Sequence, residues 1–396
     1  MNSDSVLVIY YNRRYNPLII RSLKSEFKEV IALYIDEGQV RDIEDIELEC
    51  MVAGADKFIY KDYRTQFAEK FLSKAIKANA IYQNGYYLSA ALSRPAIAEA
   101  AVEVASALNI NYIAHQFRGN DQARMDMNIE ILDKIPISSL RDFKYDENIV
   151  NNYAAQYGIP QEFGCNNPYS TSENIWGLSI ECGPLEEPET LIPEDVKEKL
   201  FERALLATEP ISLSLGFENG IPLLLDGEKK SLNEIIEILN EIGKNLSIGI
   251  FDIVEDGIVG LKTRAIYQSP AAHILITAHR DLELYCSNRN ENWFKEIIDK
   301  KWAELVYSGL WYDPLFTHLN QFIDSMNQHV NGEVKLELGY KYINVCSRSS
   351  KSSIYDHNLA IYKCGHLYSQ NDANGFAKIF NIHTNQSVKS RMRKIL

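Results

Sequence analysis

Short apolar runs alternate with longer segments of helical periodicity through the first part of the chain. The runs cover residues 6–10, 29–35, 57–61, 111–114 and 134–137, and helical spacing covers 18–27, 43–53, 64–78 and 90–108. Continuous apolar runs are typical of strands buried on both faces, and strands that alternate with helices form a parallel sheet covered by helices. The pattern therefore predicts an α/β fold with a doubly wound parallel sheet.

Turn residues at 158–160 and 166–168 separate this region from a second one, which we expect to be an α+β domain. Asn219-Gly220 lies between the apolar runs 211–217 and 221–225, and this dipeptide favours the type I′ turn of a β-hairpin.

A capping box marks the next helix of the second region. Ser231 and Glu234 have the spacing of that motif, and Gly243 is expected to end the helix. Further strands are expected at 248–254, 258–261 and 333–345, and helical periodicity runs from 272 to 309.

Composition narrows the class of protein. The chain has 396 residues, a net charge of −13 and a pI of about 5.2, which argues against a nucleic-acid partner because no extended basic surface is available to phosphates. The sequence shows neither a signal-peptide pattern nor a membrane-spanning apolar run, so we expect a cytoplasmic protein. Its six cysteines show no Cys-x-x-Cys spacing and its histidines no metal-binding cluster, so no metal site is predicted.

A polar stretch follows the predicted strand 111–114. Asn120, Asp121 and Arg124 place an amide, a carboxylate and a guanidinium within five residues. Such groups hold both charged ends of a zwitterion, and α/β proteins bind ligands beyond the carboxyl ends of their strands. The stretch suggests an amino-acid site, although taken alone it favours a solvated turn over a site.

The loop after the first strand, residues 11–17, reads Tyr-Asn-Arg-Arg-Tyr-Asn-Pro. It contains no glycine, and Pro17 lacks the backbone N–H that a helix N-terminus offers to phosphate. A glycine-type phosphate loop is therefore absent from the position where nucleotide-binding α/β proteins carry it.

Several segments together resemble the argininosuccinate synthase family, in its order and nearly at its spacing. The matching segments are Ala80-Ile-Tyr before Tyr86, Leu92-Ser-Arg-Pro95, Gly119-Asn-Asp-Gln-Ala-Arg124, Asn167-Pro-Tyr-Ser170, Glu173-Asn-Ile-Trp-Gly-Leu-Ser-Ile-Glu181, Asp252-Ile-Val-Glu255, Gly260-Leu-Lys-Thr-Arg264 with Tyr267, and Ala303-Glu-Leu-Val-Tyr-Ser-Gly-Leu-Trp311.

The resemblance implies an ATP-pyrophosphatase-like α/β domain at 1–166, a synthetase and multimerisation domain at 167–362, and a C-terminal oligomerisation helix and tail at 363–396 of a homotetramer. In that family ATP adenylates the ureido oxygen of citrulline, and the amine of aspartate then displaces AMP. The ureido carbon is a poor electrophile until its oxygen belongs to a good leaving group.

The resemblance also assigns site residues, position by position. Citrulline-binding positions of the family fall on Tyr86, Asn120, Arg124, Ser170, Ser179, Glu181, Glu255 and Tyr267, and an aspartate-binding position falls on Asp121. For any one of these residues a core or rim role would be the simpler interpretation. The full set in register favours a retained amino-acid site.

Two nucleotide loops depart from the family. The family's Ser-Gly-Gly-Leu-Asp-Thr-Ser aligns with residues 11–17 and is replaced throughout, and its His-Gly-Ala-Thr-Gly-Lys-Gly-Asn-Asp is two residues shorter at 115–121. Ile35 replaces a family alanine of the nucleotide pocket, and Ala90 and Ala91 replace hydroxyl residues beside citrulline. Arginines at the altered loops could contact an anion or simply pair with acidic groups; they are Arg13, Arg14 and Arg118.

Three functions remain open. The first is an amino-acid-binding paralogue with a degenerate ATP site, acting as a regulatory subunit or as a ligase with another activated donor. The alternative is an ATP-dependent carbon–nitrogen ligase that forms argininosuccinate, and only that function implies ATP and Mg²⁺ as cofactors. A purely structural role of the tetramer is the third, and the sequence identifies no catalytic residue.

Overall fold

The computed structural model describes residues 2–11, 15–39, 41–83, 85–138, 152, 155, 168–201, 209–360 and 370–392. The chain divides into two compact units, Met1–Ser352 and Ser353–Leu396. None of the helices in these ranges is long and apolar enough to cross a membrane.

A five-stranded parallel sheet organises the first part of the chain. Its strands are β1 (Asn2–Tyr10), β2 (Glu29–Asp36), β3 (Lys57–Asp62), β4 (Ile110–His115) and β5 (Ile135–Ser138), in the order β3-β2-β1-β4-β5. This confirms the predicted α/β class. The strand order reverses direction between β1 and β4, and the crevice at such a reversal is where open α/β sheets bind ligands.

Helices follow the strands of this sheet, and the periodicity predicted the first three of the four given next. They are Asn16–Leu23, Ile43–Ala53, Ser89–Ala107 and Gly119–Ile131. The segment predicted as one helix at 64–78 is α-helical at Arg64–Gln66, π-helical at Phe67–Leu72 and α-helical again at Ser73–Lys77. The helix Ser89–Ala107 is buried along most of its length, because its alanines let it pack between layers.

Two antiparallel sheets form the later part of the first unit. Their strands are β6 (Ser170–Asn174), β7 (Gly177–Glu181), β8 (Ile211–Glu218), β9 (Ile221–Leu225), β10 (Glu228–Lys229), β11 (Ile250–Asp256), β12 (Lys262–Gln268), β13 (Gly332–Gly339) and β14 (Tyr342–Ser349). One sheet has the order β11-β12-β7-β6 and the other β10-β9-β8-β13-β14.

Helices accompany these sheets. In the first unit they are Glu194–Phe201, Leu232–Asn245, Pro270–Cys286, Arg289–Tyr307 and Pro314–Asn327, with a 3-10 turn at Gly183–Glu186. The second unit contains the helices His357–Ala360, Gln370–Phe380 and Ile382–Met392.

The predicted hairpin and capping box are both present. Asn219 and Gly220 have φ values of 50° and 75°, the left-handed conformation that a type I′ turn requires. A Cβ added to Gly220 would lie 1.8 Å from Asn327 Oδ1, so the turn also needs glycine for space. Ser231 accepts the backbone N–H of Glu234, whose carboxylate accepts the N–H of Ser231.

Two expectations were wrong, one about the end of a helix and one about a strand. The helix that begins at Leu232 continues past Gly243 to Asn245, and Gly243 is needed for packing, since an added Cβ would lie 2.5 Å from Pro270 Cβ. The strand expected at 258–261 is a turn closed by the N–H of Gly260 donating to the carbonyl of Gly257 at 2.8 Å, and β12 begins after it.

Two segments that the sequence predicted as single elements each contain two. The helical segment expected from 272 to 309 contains two helices, because Asn288 caps the second one through a capping box with Glu291. The alternation at 333–345 belongs to two strands that turn at Lys341, which has a φ of 62°.

Candidate functional site

One face of the sheet β11-β12-β7-β6 carries a row of polar side chains. Ser179 pairs with Ser172 on one side and Tyr267 on the other, and Glu181 pairs with Ser170. Directly paired residues of antiparallel strands point to the same face, and so do residues two apart. The face therefore carries Ser170, Ser172, Ser179, Glu181, Tyr267 and, on β11, Glu255.

Two arginines supply the positive charges of the site. Arg94 lies on the helix Ser89–Ala107 and Arg124 on the helix Gly119–Ile131. Asp121 lies in the first turn of the helix that follows β4, and its two oxygens accept hydrogen bonds from Arg124 at 2.6 Å and from Arg94 at 2.8 Å. Both guanidiniums are almost fully buried. Burial alone would raise the pKa of Asp121, but the two guanidiniums hold it below its usual value.

Arg94 joins the two parts of the site. Its guanidinium donates to Ser172 Oγ at 3.0 Å and lies 4.8 Å from the ring centroid of Tyr11 and 4.4 Å from that of Phe117. The Tyr11 hydroxyl and Ser172 Oγ are 2.6 Å apart. Tyr11 lies in the loop after β1 and Phe117 in the loop after β4, and their rings pack against this arginine.

A second carboxylate is held by two phenols. Glu255 accepts the hydroxyl of Tyr267 at 3.0 Å and that of Tyr307 at 2.8 Å, one on each oxygen. Tyr86 stacks on Tyr267 with centroids 4.2 Å apart, and its hydroxyl accepts the backbone N–H of Ala91. Burial raises the pKa of Glu255, while the two hydroxyl donors and Arg124 oppose that rise.

Glu181 lies beside these groups without a hydrogen bond from any of the described residues. Burial, Asp121 and Glu255 raise its pKa to about 7. Arg124 likewise keeps one terminal nitrogen without a partner in the described part of the chain, because its Nε donates to the carbonyl of Tyr307 and its other terminal nitrogen to Asp121. The site thus offers a free cationic edge and a free carboxyl.

Such an arrangement can hold a zwitterion. The charged groups are two guanidiniums and three carboxyls, and stacked aromatic rings provide the apolar wall between them. A ligand carboxylate suits the open edge of Arg124, and an ammonium suits Glu181 and Glu255. The described residues contain no group of three or more metal-ligating side chains.

The structure brings most of the predicted residues together and separates others. Asn120 uses its Oδ1 to accept the N–H of Ile258 at 3.1 Å, so it holds the turn between β11 and β12. Ser170 is exposed at the edge of the row. Arg118 is exposed and lies over the ring of Tyr15 at 4.1 Å, and Arg13 and Arg14 lie outside the described residues.

Sequence reasoning missed two residues of the site, Arg94 and Tyr307. A usable signal existed for Arg94, since an arginine inside an alanine-rich apolar helix must find a buried partner. Tyr307 lies at the end of an apolar helix face, where an aromatic residue is ordinary core, so no signal distinguished it.

Glu37 is a third buried group that sequence reasoning missed. It is 0% exposed, the hydroxyl of Ser93 donates to one of its oxygens, and the other oxygen is buried without a partner among the described residues. Burial raises the pKa of Glu37 to about 8. It therefore lies beside Arg94 as a carboxyl that keeps its proton at neutral pH.

The parallel sheet and the crevice at its carboxyl edge define an α/β protein of the ATP-pyrophosphatase-like class. The model of the arginosuccinate synthase N-terminal HUP domain matches residues 14–160, and that of the arginosuccinate synthase C-terminal domain matches residues 169–387. The chain belongs to the argininosuccinate synthase family.

Relatives match over nearly their whole length. The chain is 40% identical to the argininosuccinate synthase of Pyrococcus furiosus over 386 residues, which is 96% of this chain and 93% of that protein. It is 37% identical to the argininosuccinate synthase of Dictyoglomus turgidum over 387 residues, covering 96% and 97%. The argininosuccinate synthase of Rubrobacter xylanophilus is 36% identical over 386 residues, covering 96% and 94%.

Proposed function

We propose that the chain binds a citrulline-type amino acid and has lost the family's usual binding site for the phosphates of ATP. It acts in this proposal as a binding or regulatory paralogue, or as a ligase that uses another activated donor. The residues proposed to form the site, by direct contact or by positioning a neighbour, are Tyr86, Asn120, Asp121, Arg124, Ser170, Ser179, Glu181, Glu255 and Tyr267.

The packing of Tyr11 and Phe117 against Arg94 carries this proposal. Both rings lie within 5 Å of the guanidinium, and they come from the two loops in which the family has glycines and hydroxyls. A phosphate needs close backbone approach and free N–H groups. Among the described residues of these loops, the rings of Tyr11 and Phe117 pack on Arg94 and Pro17 has no N–H in the first turn of the following helix, which disfavours phosphate binding.

The charged groups support the amino-acid ligand. Asp121 already binds two guanidiniums, so its proposed role is to orient Arg94 and Arg124 rather than to receive the ammonium of aspartate. Glu181 and the open edge of Arg124 have no such partner among the described residues. We therefore place the carboxylate of the ligand at the open edge of Arg124 and its ammonium between Glu181 and Glu255.

The alternative function is an ATP-dependent carbon–nitrogen ligase that joins citrulline and aspartate. Its specific support is the identity of 40% to an argininosuccinate synthase over 96% of this chain. In that case arginines would replace the phosphate loop as anion contacts, with Mg²⁺ accompanying ATP; the candidates are Arg13, Arg14 and Arg118.

Calorimetry and thermal shift with citrulline, arginine, aspartate, argininosuccinate and Mg-ATP separate these functions. We expect heat and stabilisation from citrulline or arginine and none from Mg-ATP. A coupled assay for AMP with citrulline, aspartate and Mg-ATP should stay at background. AMP release at a rate above that of the Arg124→Ala variant would overturn the proposal in favour of the ligase.

Assembly and domain division belong to the same proposal. We place a nucleotide-binding-like domain at 1–166, a synthetase domain at 167–362 and an oligomerisation segment at 363–396 of a cytoplasmic homotetramer. Light scattering on the full chain, compared with a chain ending at residue 362, tests the assembly. A full-length monomer would contradict it.

A further inference from the structure

Tyr307 contacts both charged ends of the candidate site. It ends the helix Arg289–Tyr307 and is 2% exposed. Its hydroxyl donates to Glu255 Oε1 at 2.8 Å, while its backbone carbonyl accepts the Nε–H of Arg124 at 2.7 Å. Its ring centroid lies 4.7 Å from the guanidinium of Arg124. One residue therefore fixes a carboxylate and a guanidinium that come from different elements.

The remaining contacts of Glu255 and Arg124 leave neither side chain free to move. Glu255 has its second oxygen on the hydroxyl of Tyr267, so its carboxylate is held at both oxygens. Arg124 is held by Asp121 on one side and by Tyr307 on the other. Because both oxygens of Glu255 and two edges of the Arg124 guanidinium are hydrogen-bonded, neither group can rotate independently of Tyr307.

The ring of Tyr307 is itself fixed. Tyr82 stacks on it with centroids 3.7 Å apart and Tyr86 meets it edge-on at 6.1 Å. Packed aromatic rings have little rotamer freedom, so the hydroxyl and the carbonyl of Tyr307 keep a constant separation. That separation determines how far Glu255 lies from Arg124.

We propose that Tyr307 is a positioning residue that sets the spacing between Glu255 and Arg124, and thereby selects ligands with a zwitterionic α-amino acid head group. This inference rests on the proposed amino-acid site. It goes beyond that site because Tyr307 touches neither end of the ligand and acts through the two residues that do.

The test compares two ligands by calorimetry. L-Citrulline carries both charges, and 5-ureidopentanoate lacks only the α-amino group. Tyr307→Phe removes the donor to Glu255 and keeps the ring and the carbonyl. Because a hydrogen bond to a charged group is lost, citrulline should bind roughly ten- to a hundredfold more weakly, while the affinity for 5-ureidopentanoate should change by less than about threefold.

Two further measurements separate positioning from general destabilisation. The hydroxyl of Tyr307 lowers the pKa of Glu255, so that pKa should be higher in Tyr307→Phe. As the pH is lowered, the variant should therefore lose citrulline affinity at a higher pH than the wild type does. Tyr307→Leu also removes the ring from Arg124 and should weaken both ligands. The control is Tyr63→Phe, because Tyr63 is 3% exposed and donates to Glu99 at 2.9 Å, outside the site.

The outcomes are distinct. If the wild type binds citrulline and Tyr307→Phe binds it with the same affinity and pH profile, this inference is refuted and the proposed function stands. Equal weakening of both ligands by Tyr307→Phe would refute it too, because selection of the ammonium would be absent. Failure of the wild type to bind any amino acid would refute both proposals.

Discussion

At the scale of single residues, the site is governed by which carboxyls keep a proton. Asp121 lies between two guanidiniums and stays ionised, whereas no guanidinium of the described residues is hydrogen-bonded to Glu181 or Glu37, and burial raises their pKa values. Burial disfavours charge unless a partner compensates it, so the position of each arginine decides the state of each acid. This difference gives two pH-dependent predictions.

Citrulline affinity should rise with pH through the titration of Glu181. The pKa of Glu181 is about 7 in the free protein, so below that pH binding of an ammonium must first displace a proton. Affinity should increase about tenfold from pH 6 to pH 8 by calorimetry. The variant Glu181→Gln should show a flat profile over this range, and a slope that survives in this variant would assign the titration to another group.

Stability should fall as pH rises through the titration of Glu37. Its pKa in the folded protein is raised to about 8 from 4.5, so folding favours the protonated form. Stability from this group is therefore complete below about pH 4.5 and is lost progressively up to about pH 8. Glu37→Gln should melt a few degrees above the wild type at pH 8.5, with a smaller difference at pH 5.5.

The comparison residue for Glu37 is Glu103, which is exposed and pairs with Lys61. Glu103→Gln should leave the melting temperature nearly unchanged at both pH values. A difference between Glu37→Gln and the wild type that does not depend on pH would contradict the assignment of the proton to Glu37.

At the scale of elements, close packing decides where glycine is required. Gly220 and Gly227 both have positive φ values, 75° and 79°, but only Gly220 faces a neighbour that a Cβ would strike. Gly227→Ala should cost about 1 kcal/mol from backbone strain. Gly220→Ala should cost at least about 1 kcal/mol more, because Asn327 must move away from its buried partners.

Urea denaturation of the two alanine variants measures this difference directly. Asn327 bonds to His279 at 2.7 Å and to the carbonyl of Ile323 at 2.9 Å, so displacing it disrupts a buried network. Equal destabilisation by the two substitutions would mean that strain alone accounts for both.

The sequence predicted elements where periodicity is unambiguous, and it failed where apolar residues are exposed or helices abut. Val259 and Leu261 are 77% and 69% exposed at a turn, so an apolar run there resembled a strand. The break before Arg289 does not interrupt the helical spacing, although Asn288 and Glu291 carry a capping signal. Arg94 and Tyr307 lie inside helices, and only the fold reveals which loop and strand residues they meet.

At the scale of the whole molecule, the chain matches the family's two domains over residues 14–160 and 169–387, and the proposed function places its difference from the family in the loops 11–17 and 115–121. The polar row lies on strands of one antiparallel sheet and Arg124 lies on the helix after β4, whereas Tyr11 and Phe117 lie in loops. Strands and helices position the amino-acid groups rigidly, so changes confined to loops can remove phosphate contacts without moving that site. Under the proposed function, amino-acid binding and nucleotide use are therefore separable.

That separability predicts the result of grafting a phosphate loop. Replacing residues 11–17 by Ser-Gly-Gly-Leu-Asp-Thr-Ser removes Tyr11 from Arg94 and restores glycine at two positions. Phe117 still lies 4.4 Å from the guanidinium, and the second loop keeps its shorter length. We expect citrulline affinity within about threefold of the wild type and no AMP above background, because a transition state with a departing pyrophosphate needs both sets of donors.

A chain that carries both family loops provides the comparison. It combines the first graft with His-Gly-Ala-Thr-Gly-Lys-Gly-Asn-Asp in place of residues 115–121, and it should be the first variant to release AMP from Mg-ATP in the presence of citrulline and aspartate. Because Phe117 is absent from it, Arg94 becomes free on the face that the ring covers. AMP release by the single graft would show instead that the first loop alone controls nucleotide use.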